Sequence, residues 1–290
     1  VLKYRVLSGI TLILAFALAA FKLPALGIWM VLLGVTALAQ LEFYAMLNKG
    51  GIPVFRFLGL ISGAAMISAT FFSMCGSVGR SATPYQWENI VLLLTLTAVF
   101  VRQFPQKHNP KPLETLGCTL LGILYVPYFL NYVTRLAFAW EPHSLLEPVG
   151  PTGRAVVFFF VVVTKAADVG AYFVGRAIGK HKLFPRISPK KSWEGLAGGL
   201  ALAVGVAVLF RHLSGGMLGQ VPLAVHDAVL LGVLLCVVGL VGDLFESLVK
   251  RSSGMKDSSA AIPGMGGLLD VLDSLLFGAP LMYLYVRVLI

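Results

Sequence analysis

Nine long apolar runs constrain this chain more than any other feature: Val6–Phe21, Pro24–Leu47, Phe57–Cys75, Trp87–Val101, Leu113–Ala139, Ala155–Ile178, Trp193–Phe210, Val225–Val249 and Gly267–Ile290. A helix needs about 20 mostly apolar residues to cross a bilayer. Phe57–Cys75 is diluted by Ser and Thr and Trp87–Val101 is short, so these two runs are the weakest. Glycine and proline within several runs are no objection, because both are common in spanning helices. Charged residues make up only 12% of the 290, against roughly 25% in soluble domains. A soluble fold of this size has no means of covering its surface with so few polar groups. The same figures exclude disordered, collagen-like and disulfide-framework chains. The expected fold class is an all-α polytopic integral membrane protein of about nine transmembrane helices, with the N-terminus cytoplasmic.

The formal charge of +10 supports that orientation rather than a nucleic-acid groove. With the N-terminus inside, 16 of the 23 Lys and Arg residues fall on the cytoplasmic side, 6 fall outside, and Lys165 lies within a span. This is the positive-inside bias. The outer loop 140–153 carries Glu141 and Glu147 and no Lys or Arg. Lys3 and Arg5 precede the first run, which reads as a retained helix rather than a cleaved signal peptide. Cys75, Cys118 and Cys236 lie far apart in apolar runs and read as small core residues, not as a zinc site or disulfide framework. Polar character shifts along the chain. Residues 1–153 read as a scaffold of hydrophobic helices with short loops. Residues 154–290 hold two basic cytoplasmic loops and most of the intramembrane charges, so chemistry is expected there.

Charges inside spans are costly and usually functional. Lys165, Asp168 and Tyr172 share one helix face, as residues three and four apart do. Asp243, Glu246, Ser247 and Lys250 share another, and Asp270, Asp273 and Ser274 repeat the pattern in the last run. Asp243 lies seven residues before Lys250, about 10 Å along the helix. A buried ion pair that only locks helices is the plainer alternative for Lys165 and Asp168. Carboxylates brought to similar depth by two helices repel one another unless a cation is bound. Hard oxygen ligands favour Mg²⁺ over zinc.

The loops beside these carboxylates suit polyanions. One carries Arg176, Lys180, Lys182, Arg186, Lys190 and Lys191, and the other Lys250, Arg251 and Lys256. The helices that begin near Trp193 and Gly267 are expected to present free N–H groups at their cytoplasmic ends, a setting that favours phosphate. Topogenic charge with anionic-lipid contact explains each loop alone. It explains poorly two basic loops facing two sets of intramembrane carboxylates. Metal, phosphates and lipid depth together point to phosphoryl or nucleotidyl transfer on a lipid phosphate. Glu42, Glu114, His143, His212 and His226 lie at span ends and read as interfacial, and Tyr125, Tyr128 and Tyr132 as belt or core residues.

Ser247-Leu-Val-Lys250-Arg251, four residues, Lys256-Asp257, then Ile262-Pro-Gly-Met-Gly266-Gly267-Leu-Leu-Asp270-Val-Leu-Asp273 resembles the signature of the phosphatidate cytidylyltransferases (CDP-diglyceride synthases). The run Asp168 to Gly195 is similar to that family's preceding motif. The resemblance implies that CTP and phosphatidate give CDP-diacylglycerol and pyrophosphate with a divalent metal. It also implies a homodimer in the inner (cytoplasmic) membrane, a lateral lipid opening, and an active site at the cytoplasmic face. On that resemblance Asp243 and Asp270 are the expected metal ligands, for Mg²⁺ and a second cation such as K⁺. Lys250, Arg251 and Lys256 are expected to hold the triphosphate, and Lys190 and Lys191 one of the two substrates. Ser188, Ser247, Asp257, Gly266 and Gly267 are expected around the substrates, with Asp168, Glu246 and Asp273 supporting the ligands. Met265 and Val271 stand where the family usually has His and Arg. A relative acting on another lipid phosphate and a cation-coupled transporter are the alternatives. The transporter lacks the internal repeat it should show.

Overall fold

In the computed structural model the described residues are 11, 15–75, 84–107, 109–141, 144–255, 258–259, 262 and 266–289. Helix dominates, as it must where lipid offers no partner to backbone N–H and C=O groups. The chain divides into two compact units, Val1–Gly150 with Ser252–Val271, and Pro151–Arg251 with Leu272–Ile290.

The first unit contains α1 (Ala25–Lys49), α2 (Arg56–Met74), α3 (Pro84–Gln103) and α4 (Pro112–Phe138). Residues 15–22 are also helical. Within α4 the stretch Leu124–Tyr128 widens to a π-helical turn around Pro127. Proline lacks an N–H and its ring presses on the preceding turn, and the wider turn accommodates both. Tyr44 is wedged between α2 and α4, where a Cβ on Gly59 or Gly122 would overlap its ring. Its hydroxyl donates to the Thr119 carbonyl at 3.0 Å. A polar layer crosses this apolar bundle: Arg135 pairs with Glu88, and both are buried. Asn131 donates to Thr70 at 2.7 Å, and Thr70 donates to Glu88 at 3.2 Å. Arg135, one of the six basic residues assigned to the outer side in the charge count, therefore lies inside α4. An unpaired charge there would be far more costly than a paired one.

The second unit is built on α5 (Pro151–Ile178), α6 (Trp193–Leu213), α7 (Val225–Ser252) and α8 (Leu269–Leu284). The first turn of α8 and the last residue of α7 belong to the first unit. Helices α5 and α6 pack through small residues, as membrane helices do where backbones must approach closely. A Cβ on Gly170 would lie 2.6 Å from the Gly198 carbonyl oxygen, and one on Gly199 would lie 2.9 Å from that of Ala167. The basic loop between them is a short hairpin, β1 (Lys182–Phe184) against β2 (Ser188–Ser192). Ser192 then caps α6 by accepting the Gly195 N–H at 3.1 Å. Strands β3 (Met217–Leu218) and β4 (Val221–Pro222) form a second hairpin before α7.

Seven helices are long and apolar enough to cross a membrane among the described residues. They are α1, α2, α4, α5, α6, α7 and α8. Of the nine expected, Val6–Phe21 lies largely outside the described residues. The 20-residue α3 forms, but with Gln86, Glu88, Asn89 and Arg102 it is too polar to join the seven. The chain is an all-α polytopic membrane protein.

Candidate catalytic site

In the second unit, backbone contact brings α7 and α8 together. A Cβ on Gly242 would overlap the Asp273 carbonyl oxygen, and one on Gly239 would touch Ser274. The close crossing gathers Asp243, Glu246 and Asp273, whose carboxylate oxygens lie within 4.8 Å of one another. Glu246 and Asp273 are buried, whereas the Asp243 side chain is 38% exposed.

Lysines approach this group from three elements. Lys191, at the end of β2, pairs with Asp243 at 2.7 Å. Lys250, one turn along α7, donates to Glu246 at 2.5 Å. On α5, Lys165 donates to Asp168 at 3.0 Å and to the Ser274 hydroxyl at 2.8 Å. Ser274 in turn donates to Asp168 at 2.9 Å, and its N–H to Asp273 at 2.6 Å. Ser247 donates to Asp243 at 3.3 Å. Four carboxylates, Asp168, Asp243, Glu246 and Asp273, thus stand among three lysines. A hard divalent cation on the three clustered oxygens fits the donor chemistry. Asp273 and Glu246, expected only to support the ligands, lie in the cluster with Asp243.

The first unit holds the other carboxylates of interest. Asp270, in the first turn of α8, accepts from the Ser258 N–H at 3.2 Å, the Ser258 hydroxyl at 2.6 Å and the Gly267 N–H at 2.6 Å. All three bonds reach one oxygen, Oδ2, which fixes the plane of the carboxylate. Gly266 has φ +100, and a Cβ there would lie 2.5 Å from that oxygen. Both reasons demand glycine. Glu42 on α1 accepts from the Ser259 hydroxyl at 2.7 Å, the Leu268 N–H at 3.1 Å and the Leu269 N–H at 2.8 Å, and the Ser258 hydroxyl, whose one hydrogen goes to Asp270, lies 3.3 Å away. A Cβ on Gly267 would overlap both Glu42 and Ser258.

These contacts correct one expectation. The N–H groups of Gly267, Leu268 and Leu269 are donated to Asp270 and Glu42, and at α6 the Trp193 and Gly195 N–H groups go to His181 and Ser192. The helix ends are capped by the chain's own oxygens, as orphan donors in folded chains generally are. Glu42 is also no solvated span-end residue. Its signal in the sequence is scarcity, because Glu42 and Glu88 are the only acidic residues before position 114, and each falls inside an apolar run. Ser188 and Lys190 lie on β2, with Lys190 exposed, and Arg251 is exposed near the end of α7. Lys256, Asp257 and Met265 lie outside the described residues.

Carboxylates and lysines gathered in a polytopic helical protein suit chemistry on phosphate anions at a membrane. More particularly, the chain belongs to the Cytidylyltransferase family, which it matches over residues 3–289. It is 34% identical to the phosphatidate cytidylyltransferase of Haemophilus influenzae over 303 aligned positions, covering 99% of this chain and 100% of the relative. Identity to the phosphatidate cytidylyltransferase of Bacillus subtilis is 30% over 284 positions, 97% of this chain and 96% of that one. Over 143 positions, 49% of this chain and 51% of the relative, it is 46% identical to the phosphatidate cytidylyltransferase of Pseudomonas aeruginosa.

Proposed function

We infer that this chain is a phosphatidate cytidylyltransferase, a nucleotidyltransferase of phospholipid biosynthesis. The observation that carries the reading is the partly buried cluster of Asp243, Glu246 and Asp273 with lysines around it, in a chain similar over nearly its full length to enzymes of that name. The phosphate oxygen of phosphatidate forms a bond to the α-phosphorus of CTP. The bond from that phosphorus to the α–β bridging oxygen breaks, and pyrophosphate leaves with the electron pair. Two anions must meet, so neutralising charge is the main task of the site. Phosphatidate is already ionised at neutral pH, and no dedicated general base is needed.

Asp243 and Asp270 are the proposed metal ligands, with Glu246, Asp273 and the Lys165-paired Asp168 in supporting roles. Bound Mg²⁺, with a second cation such as K⁺, would neutralise phosphate oxygens of both substrates. Lys250, Arg251 and Lys256 are assigned to the triphosphate and departing pyrophosphate. Lys190 and Lys191 hold one substrate phosphate, and Ser188, Ser247, Asp257, Gly266 and Gly267 line the substrates. Residues 154–290 supply most of this chemistry, and residues 1–153 the scaffold. The protein works as a homodimer in the inner membrane, taking phosphatidate from the bilayer and CTP at the cytoplasmic face.

Purified protein with Mg²⁺, CTP and phosphatidate should form CDP-diacylglycerol and pyrophosphate, and EDTA should abolish both. Undiminished product in EDTA would sink the metal assignment. Pyrophosphate release that is indifferent to added lipid would remove phosphatidate as the acceptor.

A further inference from the structure

Ser259, Leu268 and Leu269 are tied to a helix more than 200 residues earlier in the chain by one carboxylate. Glu42 uses its two oxygens as a fork: Oε1 accepts from Ser259 and Leu268, and Oε2 from Leu269. Two N–H groups at a helix start and a hydroxyl are the donor set with which helix N-termini hold a bound anion. Here a resident side chain fills it. The fork also reaches toward Asp270, because the Ser258 hydroxyl lies 3.3 Å from Glu42 Oε2 and 2.6 Å from Asp270 Oδ2. The Gly267 N–H completes the hold on Asp270 at 2.6 Å, and a Cβ on Gly267 would overlap Glu42 itself.

We propose that Glu42 is a positioning residue for the nucleotidyl transfer: it occupies the anion-type donor set at the start of α8, excludes substrate phosphate from it, and holds Ser259, Leu268 and Leu269 so that the neighbouring Ser258 and Gly267 orient Asp270. The consequence for metal binding rests on the reading of Asp270 as a ligand, whereas the order at Leu268 and Leu269 does not. Glutamine at 42 keeps the volume but offers one acceptor oxygen in place of two. Its NH₂ group would then face donors, and at least one of the three bonds is lost. Alanine loses all three.

The test uses the full chain in detergent or nanodiscs, wild type against Glu42→Ala and Glu42→Gln. Three readings are taken: amide hydrogen exchange over 258–270, Mn²⁺ binding by electron paramagnetic resonance without substrates, and the Mg²⁺ dependence of turnover. Exchange should accelerate at Leu268 and Leu269 with the transmembrane helices unchanged. Mn²⁺ affinity should weaken and the half-activating Mg²⁺ concentration rise by about 10- to 100-fold, the scale seen when groups that orient metal ligands are removed. Glu42→Gln should fall between wild type and Glu42→Ala. It also stands in if the alanine variant fails to assemble. Unchanged exchange at Leu268 and Leu269 overturns the proposal, as does turnover lost with metal affinity intact. Exchange and Mn²⁺ binding need no reaction. A wild type that makes no CDP-diacylglycerol would therefore count against the enzyme assignment and still leave Glu42 decided.

Discussion

Asp243 and Asp270 are held differently, and the same substitution tests both. Asp243 is paired with Lys191 and accepts from Ser247, with 38% of its side chain exposed. Asp270 takes three hydrogen bonds on a single oxygen. Asp243→Asn and Asp270→Asn keep size and remove the charge a metal requires. Each should lower turnover by at least about 100-fold, the scale of losing one main electrostatic stabiliser, with expression and detergent stability near wild type. Normal turnover in both variants would make these carboxylates structural. Lys191 loses its partner in Asp243→Asn, so Lys191→Met in that background should cost less than in the wild type. Stability of the four proteins, read as a double-mutant cycle, measures that coupling.

Among the elements, α7 and α8 owe their carboxylate cluster to two glycines with unequal freedom. A Cβ on Gly239 would lie 3.4 Å from the Ser274 Cβ, an ordinary contact, whereas one on Gly242 would overlap the Asp273 backbone oxygen. Gly239→Ala should be neutral or stabilising by up to about 1 kcal/mol, because alanine favours helix. Gly242→Ala has only backbone to push against. It should cost about 1–3 kcal/mol, the usual range for overpacking, and displace Asp273 from Asp243. Thermal unfolding in detergent and turnover check both expectations, and equal behaviour of the two variants would refute this account of the crossing. These glycines were unremarked in the sequence because glycine is common in spanning helices. Their role appears only when the neighbouring backbone is in place.

At the scale of the whole molecule, the expected sidedness places β1 and β2 in the cytoplasm and Leu146, 79% exposed, outside. With Cys75, Cys118 and Cys236 replaced, Leu146→Cys should react with a membrane-impermeant maleimide on intact cells. Lys182→Cys should react only after permeabilisation. The reverse pattern would invert the topology, and labelling of both from outside would defeat it. The division into units adds what no linear reading contained, since Ser252–Val271, in the middle of the signature, groups with the N-terminal helices.

The class of fold was legible in the sequence because a bilayer leaves few options. Apolar runs of spanning length become helices whatever packs beside them, and α1, α2 and α4 to α8 lie where the runs lie. The face-sharing sets on α5, α7 and α8 were equally legible, because helical period alone aligns Lys165 with Asp168 and Asp243 with Glu246. Proximity between helices was not. The gathering of Asp243, Glu246 and Asp273 depends on a crossing set by Gly242, and the burial of Arg135 on the presence of Glu88. The part Glu42 plays depends on donors more than 200 positions away. A sequence determines which residues share a helix and which must leave water. Which carboxylate meets which donor is decided by packing, and here that is where the candidate chemistry is arranged.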